Sequence, residues 1–247
     1  MLKFCISVAS LLGLLALSPI AGSQTATGRA LDCLLEPHLE VDVGSPVLGI
    51  LAKVNVDRGD TVVKGQVIAE LESAAQAARV KLAEARAEFN RRKVARNDDL
   101  YRDELISIHD KDEIETQSLI SELELLEARE ELNMRTIRSP LNGVVVDRFV
   151  SPGEYVQETP VVKLAQINPL NVEVIAPVAL FGSVGVGISA RVELSPPLSG
   201  TYTVKAMVVD RVVDAASGTF GIRFELPNPG NKIPSGLNCR IRIADGI

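Results

Sequence analysis

The sequence predicts a mainly β protein that is interrupted by one long α-helical hairpin. Three observations support this fold class: an internal repeat, a helical period between its two copies, and short strand-like runs after the second copy. The two copies predict the halves of one β-sandwich, and the helical stretch predicts an insertion between them. The later runs predict a small β-barrel.

The internal repeat starts at residues 45–73 and recurs 94 positions later, without a gap for about twenty residues. The matched pairs are Ser45 with Ser139, Gly49 with Gly143, Val56 with Val150, Gly59 with Gly153, Asp60 with Glu154 and Val62 with Val156. Each copy alternates apolar strands with Gly-Asp or Gly-Glu turns, in which glycine supplies positive φ. The residues that mark these turns are Gly49, Gly59, Asp60, Gly65, Gly143 and Gly153. Two unrelated hairpins with similar turns are the alternative.

The composition argues against a nucleic-acid-binding protein. Hydrophobic residues make up 46% of the 247 residues, but aromatic residues make up only 4%, and tryptophan is absent. A nucleic-acid-binding protein would need basic stripes and stacking aromatic side chains, whereas the net charge here is −6. We therefore expect no nucleic-acid partner, and a core in which Val and Ala do most of the packing.

The N-terminus, residues 1–23, predicts a secretory signal peptide. One lysine precedes an apolar run that is followed by proline and small residues. The run is short for a membrane span, which needs about twenty apolar residues. An uncleaved membrane anchor is the alternative. In both cases the chain that follows is predicted to be exported.

Export makes the cysteines informative. Once the signal peptide is removed, Cys33 and Cys239 remain. In an oxidising compartment such a pair can persist as a disulfide. The bond would close a loop of roughly two hundred residues, for which loop entropy gives an upper figure of about 4–5 kcal/mol. Two separate buried thiols are the alternative.

Residues 74–137 predict an antiparallel coiled-coil hairpin. The segment lacks Gly and Pro and is rich in Ala, Glu, Arg and Leu, which favour helices. Two helices of about 27 residues, each about 40 Å long, would fill most of it. The predicted seam follows a/d spacing. Its residues are Ala75, Ala78, Leu82, Ala85 and Phe89 in the first helix and Leu119, Leu123 and Leu126 in the second.

The last third of the chain predicts a small β-barrel. The strand-like runs are residues 190–194, 201–213, 219–226 and 237–243. Short strands at this spacing, separated by turn clusters, are typical of barrels. Residues 29–43 would supply an early strand of the barrel, which would bring Cys33 near Cys239. A single helical turn is expected within residues 177–184.

These features resemble the periplasmic adaptor subunits, or membrane fusion proteins, of tripartite efflux and secretion systems (the HlyD/RND efflux adaptor family). Each repeat copy resembles half of a biotinyl/lipoyl domain, and the stretches DAASGTFGIRFELPNP and IPSGLNCRIRI resemble adaptor barrel strands. The implied domains are the barrel at 24–44 with 168–247, the lipoyl-like sandwich at 45–73 with 138–167, and the hairpin at 74–137. Many adaptors continue into a membrane-proximal domain, which is not expected in this chain.

The expected tip of the hairpin carries a second resemblance. Efflux adaptors have there the pattern Arg, three residues, Leu, six residues, Ser, and Arg96, Leu100 and Ser107 match it. The resemblance implies that these residues dock onto the helical end of an outer-membrane channel. In the alternative, Ser107 is only the N-cap of the second helix and Leu100 a core residue. Glu104 stands where the family commonly has a turn glycine, and a left-handed Glu would cost about 1 kcal/mol, so a different turn is expected.

No catalytic residue, cofactor or metal site is predicted, and the protein is not expected to be an enzyme. A lipoyl or biotin carrier presents a lysine between its two halves, but no lysine lies between Lys64 and Lys81. The two histidines, His38 and His109, lack neighbours at metal-ligand spacing. Phosphate-binding and nucleophile motifs are also missing from the sequence.

The resemblance implies assembly rather than catalysis. A ring of protomers, expected to be a hexamer, would link an inner-membrane transporter of the RND type to an outer-membrane channel for efflux of small molecules. The expected location is the periplasm of a Gram-negative bacterium, with anchoring at the inner membrane if the signal is retained. Two alternatives remain open: an adaptor of an ABC-type exporter or type I secretion system, and an envelope scaffold without a transport partner.

Overall fold

The computed structural model describes residues 30–243, and the predicted signal peptide lies outside this range. The strands are β1 Ala30–Val43, β2 Gly49–Val54, β3 Thr61–Val62, β4 Val67–Leu71, β5 Thr136–Arg138, β6 Gly143–Arg148, β7 Tyr155–Val156, β8 Val162–Pro177, β9 Ser189–Leu194, β10 Thr201–Val209, β11 Thr219–Leu226 and β12 Asn238–Ile243. The helices are α1 Ala74–Arg102 and α2 Ile108–Asn133, and Val178–Leu180 forms a single 3-10 turn.

Six antiparallel strands close a barrel. Strand β1 pairs with β12, β12 with β9, β9 with β10, β10 with β11, β11 with β8, and β8 returns to β1. Alternate side chains of each strand point inward and form one apolar core. The largest fully buried side chains of this core are those of Leu35, Leu170, Ile222, Phe224, Leu226 and Ile241. The prediction of a mainly β protein with a small barrel is confirmed.

A disulfide joins two neighbouring strands of the barrel. Cys33 of β1 lies directly opposite Cys239 of β12 in the antiparallel register, and their sulfur atoms are bonded. Both cysteines are buried in the barrel core. The bond connects positions that are 206 residues apart, so it holds the two ends of the described chain in adjacent strands.

The two repeat copies form one β-sandwich in which equivalent turns exchange equivalent hydrogen bonds. The backbone N–H of Gly59 donates to the carbonyl of Val145 at 2.9 Å. In the other copy, the N–H of Gly153 donates to the carbonyl of Leu51 at 2.7 Å. Because each donor and acceptor is 94 positions from its counterpart, the sequence repeat corresponds to an internal two-fold relation.

Strand pairing in the sandwich obeys the same relation. Gly49 of β2 lies opposite Val156 of β7, and the equivalent Gly143 of β6 lies opposite Val62 of β3. The shared core takes residues from both copies, among them Leu51, Val62, Ile68, Val145, Val156 and Leu164. The two copies therefore bury their apolar faces against each other and complete one fold.

Strands β1 and β8 run through both the barrel and the sandwich. Residues 33–37 of β1 pair with 170–174 of β8, and residues 39–43 pair with 162–166, with a register shift between Pro37 and Leu39. The two long strands thus form a continuous ribbon that connects the two β units.

The two helices form an antiparallel hairpin that is inserted between β4 and β5 of the sandwich. Five ion pairs join them. In three of them α1 supplies the arginine, namely Arg79–Glu131, Arg86–Glu124 and Arg91–Glu122, and in two α1 supplies the carboxylate, namely Glu84–Arg129 and Asp98–Lys111. Each helix packs chiefly on the other, through a small apolar cluster. Within residues 30–243, neither helix combines the length and the hydropathy that crossing a membrane requires.

The predicted seam between the helices is wrong. Its large members lie outside the contact: Leu82 and Phe89 are each 54% exposed, and Leu119, Leu123 and Leu126 are exposed to a similar extent. In α1 the observed seam is shifted by two positions from the predicted seam, and its residues are smaller than the predicted ones. Its buried members are Val80, Ala83 and Ala87 of α1 and Ser118, Ser121, Leu125 and Ala128 of α2.

The observed seam is explained by the close approach of the two helices and by the ion pairs between them. Alanine and serine side chains allow the helix axes to come near each other, and the Asn90 amide donates to the Ser121 hydroxyl across the contact at 3.0 Å. The interhelical ion pairs flank this seam on both sides. Each exposed pair contributes at most about 1 kcal/mol, but burying the larger apolar stripe instead would separate these pairs.

Candidate docking site at the hairpin tip

The tip begins with a Schellman motif at the end of α1. The N–H of Leu105 donates to the carbonyl of Leu100 at 2.9 Å, and the N–H of Glu104 donates to that of Tyr101 at 3.0 Å. Glu104 takes the left-handed position of this motif with φ of 60°, where glycine is usual. The expectation of a different turn is therefore wrong, because the paired hydrogen bonds hold Glu104 in the strained conformation.

A capping box starts α2 immediately after this turn. The N–H of Asp110 donates to the Ser107 hydroxyl at 3.2 Å, and the N–H of Ser107 donates to the Asp110 carboxylate at 3.1 Å. The Ser107 hydroxyl also donates to that carboxylate at 2.6 Å. The hydroxyl and then the backbone N–H of Ser107 lower the pKa of Asp110 below its usual value. The cap is thus kept in its charged, hydrogen-bonded form at neutral pH.

The three residues of the tip pattern occupy different roles in this structure. Arg96 is exposed and takes part in none of the ion pairs found within residues 30–243. Leu100 is 38% exposed in the last turn of α1. The Ser107 hydroxyl is already engaged in the capping box. Arg96 and Leu100 are therefore available to a partner, whereas Ser107 acts first as the N-cap.

The sequence reasoning missed two apolar side chains at the tip. Leu105 is 68% exposed and Ile108 is 57% exposed. Leu105 lies two positions before Ser107, the N-cap of α2, and Ile108 directly follows it, so both are at the end of the hairpin. Their closeness in sequence to the predicted cap Ser107 was the available signal, because neither position belongs to the predicted helical seam.

The turn residues of the sandwich serve two different needs. Gly59, Gly65 and Gly153 have φ between 85° and 92°, as the turns require. Gly49 and Gly143 do not have positive φ. An added Cβ at Gly143 would lie 2.2 Å from the Ala165 carbonyl oxygen, so this glycine is needed for close strand approach. The carboxylate of Asp60 accepts from the Asp57 N–H at 2.7 Å and closes the first turn.

Metal binding finds no support in residues 30–243. They contain no group of three or more His, Cys, Asp and Glu side chains arranged to hold a metal ion. The grooves along the hairpin are shallow and lined by charged side chains such as Arg79, Arg86 and Glu127.

A β-barrel, a two-copy sandwich and a helical hairpin inserted between the copies together define the architecture of membrane fusion proteins. The family described as "CzcB-like, barrel-sandwich hybrid domain" matches residues 39–166, just over half of the chain. The chain belongs to this family, and its resemblance to periplasmic adaptor subunits is confirmed.

Individual relatives are more distant. An uncharacterized protein of Haemophilus influenzae is 22% identical over 215 residues, which cover 85% of this chain and 56% of that relative. The chain thus spans little more than half the length of this curated relative.

Two solved structures show the same fold. A MacA-MexA chimeric protein containing the Pseudomonas aeruginosa MexA α-hairpin domain has a TM-score of 0.75 at 22% identity, covering 89% of this chain and 81% of the chimera. A membrane fusion protein from Streptococcus pneumoniae R6 has a TM-score of 0.69 at 16% identity, covering 89% of this chain and 100% of that protein. At these identities the similarity concerns the fold alone.

Proposed function

We propose that this protein is a non-enzymatic periplasmic adaptor that links an inner-membrane transporter to an outer-membrane channel for efflux of small molecules. In this proposal the transporter is of the RND type. The hairpin tip contacts the channel through Arg96, Leu100 and the segment around Ser107, and the barrel faces the transporter. Family membership supports the adaptor role, and the exposed tip supports the contact with the channel.

The main observation in support of this proposal is the length of the hairpin together with its exposed apolar end. Helix α1 has 29 residues and is therefore about 43 Å long. Within residues 30–243 neither helix packs extensively on a barrel strand, and the far end exposes Leu100, Leu105 and Ile108. A rod with a charged shaft and an apolar tip is suited to contact a partner end-on, at a distance from the β units.

The hairpin also offers two flanks, each with exposed apolar and charged side chains, for self-association. One flank is a stripe on α1 that contains Arg79, Leu82, Arg86 and Phe89. The other is a stripe on α2 that contains Leu119, Glu122, Leu126 and Arg129. The ion pairs that accompany each stripe lie on opposite sides of the seam, so the two stripes face opposite ways. Different surfaces on opposite flanks allow head-to-tail contacts, and such contacts form a ring such as a hexamer when the rotation between neighbouring copies closes.

Photo-crosslinking in cells tests the adaptor role. A photoreactive residue at Leu105 is expected to give an adduct with an outer-membrane channel, and one at Val212, which is 81% exposed on the barrel, an adduct with an inner-membrane transporter. A probe at buried Ile222 is the control and should give neither adduct. Adducts with an ABC-type exporter would favour that alternative. Adducts with copies of the same chain alone would favour the scaffold and contradict the adaptor.

Cysteine crosslinking tests the ring. In the variant Leu82→Cys with Leu126→Cys, a short bismaleimide is expected to produce a ladder of covalent oligomers, because each copy contributes both flanks. Either single variant should stay largely monomeric on a denaturing gel, since equivalent flanks do not meet in a head-to-tail contact. A dimer from the Leu82→Cys variant alone would instead indicate a two-fold contact and exclude this ring.

A further inference from the structure

The hairpin tip differs from the rest of the protein in its charge. Residues 96–115 contain eight Asp and Glu and three Lys and Arg, a net charge of −5, whereas the whole chain has a net charge of −6. The shaft, residues 74–95 and 116–135, has eight Lys and Arg and seven Asp and Glu. Nearly all of the excess negative charge is thus concentrated at one end of the rod.

Half of the acidic side chains at the tip form ion pairs or hydrogen bonds with other residues of the tip. Asp98 and Glu115 contact the Lys111 ammonium, Asp99 pairs with Arg102, and Asp110 belongs to the capping box. These contacts order the end of the hairpin.

The other half lacks cationic partners. Asp103, Glu104, Asp112 and Glu113 are all exposed and make no ion pair with any residue of the described range 30–243. They lie next to the protruding side chains of Leu105 and Ile108, which are among the most exposed apolar side chains of the hairpin. The tip therefore combines exposed apolar side chains with four unpaired carboxylates near its end, and within the described residues 96–115 the one unpaired arginine, Arg96, lies six residues before the end of α1.

We propose that this tip inserts into an apolar socket of the outer-membrane channel whose rim carries Lys or Arg side chains. The inference rests on the proposed adaptor function and adds the chemistry of the partner surface. Leu105 and Ile108 supply the apolar contact, and the four unpaired carboxylates favour cations opposite them, since juxtaposed like charges would oppose docking. Charge at the rim of an interface mainly steers encounter and selects the partner, so the tip discriminates in favour of channels with a basic rim.

Binding of the purified full chain to the channel identified by the Leu105 adduct tests this inference. At about 0.1 M NaCl, Asp112→Asn with Glu113→Gln is expected to weaken binding about tenfold. Raising the salt to about 1 M, which shortens the Debye length from about 10 Å to about 3 Å, should weaken wild-type binding by about tenfold or more and abolish the difference from the variant. Leu105→Ser with Ile108→Ser should lose binding at both salt concentrations.

Matched controls separate the tip from the remainder of the protein. Glu127→Gln with Glu130→Gln removes the same charge from exposed, unpaired positions on the shaft, and Val212→Ser removes an exposed apolar side chain from the barrel; both should bind like the wild type. The basic-rim inference is overturned if channel binding depends neither on salt nor on the tip carboxylates. It is also overturned if the shaft variant weakens binding as much as the tip variant does. Neither result contradicts the adaptor function. Failure of the channel to bind or to be crosslinked at all overturns both.

Discussion

Reduction of the Cys33–Cys239 disulfide is expected to lower the free energy of unfolding by about 4 kcal/mol. The bond connects residues 206 positions apart, so it removes the freedom of a very large loop from the unfolded chain. The folded barrel should change little, because five residue pairs set the register of β1 against β12 without the covalent bond. Urea unfolding followed by circular dichroism, with and without reductant, measures the difference.

The variant Cys33→Ala with Cys239→Ala is the control for this experiment, because it removes the bond without a reductant. Its stability should lie close to that of the reduced wild type, and its urea m value should rise, since an unfolded chain without the crosslink exposes more surface. Amides of β12 should also exchange faster with solvent. A loss below about 1 kcal/mol in both the reduced protein and the variant would contradict the loop-entropy explanation.

The barrel and the sandwich could be predicted because the spacing of residues in the sequence reflects the spacing of their turns and strands. The 94-residue repeat kept the turn glycines and the strand lengths in register, and the same register appears in the reciprocal bonds of Gly59 and Gly153. Alternating apolar residues placed the barrel strands in the correct segments. What could not be predicted is that equivalent glycines face different neighbours, because Gly143 meets the backbone of Ala165 whereas Gly49 meets side chains.

The helical seam was mispredicted because apolar size is a poor guide in a two-helix hairpin. Ser118, Ser121 and Asn90 line the observed contact, and a search for large apolar residues passes over them. Charges that are distant in sequence, such as Arg79 and Glu131, pair only in the observed register. A search for complementary charges on both sides of a small-residue seam would have identified it.

The candidate docking residues show a different limit of prediction from the sequence. The pattern of Arg96, Leu100 and Ser107 came from resemblance to a family, and its role in docking stays a prediction. The capping role of Ser107 follows from its position before α2 and from Asp110 three residues later. The protrusion of Leu105 and Ile108 depends on the backbone turn at Glu104, which sequence reasoning expected to be different.

Gly143→Ala is expected to lower the free energy of unfolding by about 3 kcal/mol. The new Cβ would lie 2.2 Å from the carbonyl oxygen of Ala165 and 2.8 Å from a methyl carbon of Leu141. Ala165 belongs to β8, which is paired with β1 and β6 at this position. Its carbonyl can retreat only if ladder hydrogen bonds break, so the cost exceeds that of displacing a flexible side chain. Urea unfolding of wild type and variant measures the difference.

Two further alanine variants separate this clash from the general effect of replacing glycine. Gly49→Ala is the equivalent change in the first copy, but its Cβ would meet ends of the Arg135 and Leu71 side chains, both at 2.7 Å, which can shift at a cost of about 1–2 kcal/mol. Gly185→Ala would meet no atom within 4 Å and should change stability by less than about 1 kcal/mol. If Gly143→Ala cost no more than Gly49→Ala, close backbone approach of β6 to β8 would not be what requires glycine there. The expected order, with Gly143→Ala costing most and Gly185→Ala least, instead follows from whether backbone, side chain or open space lies opposite each glycine.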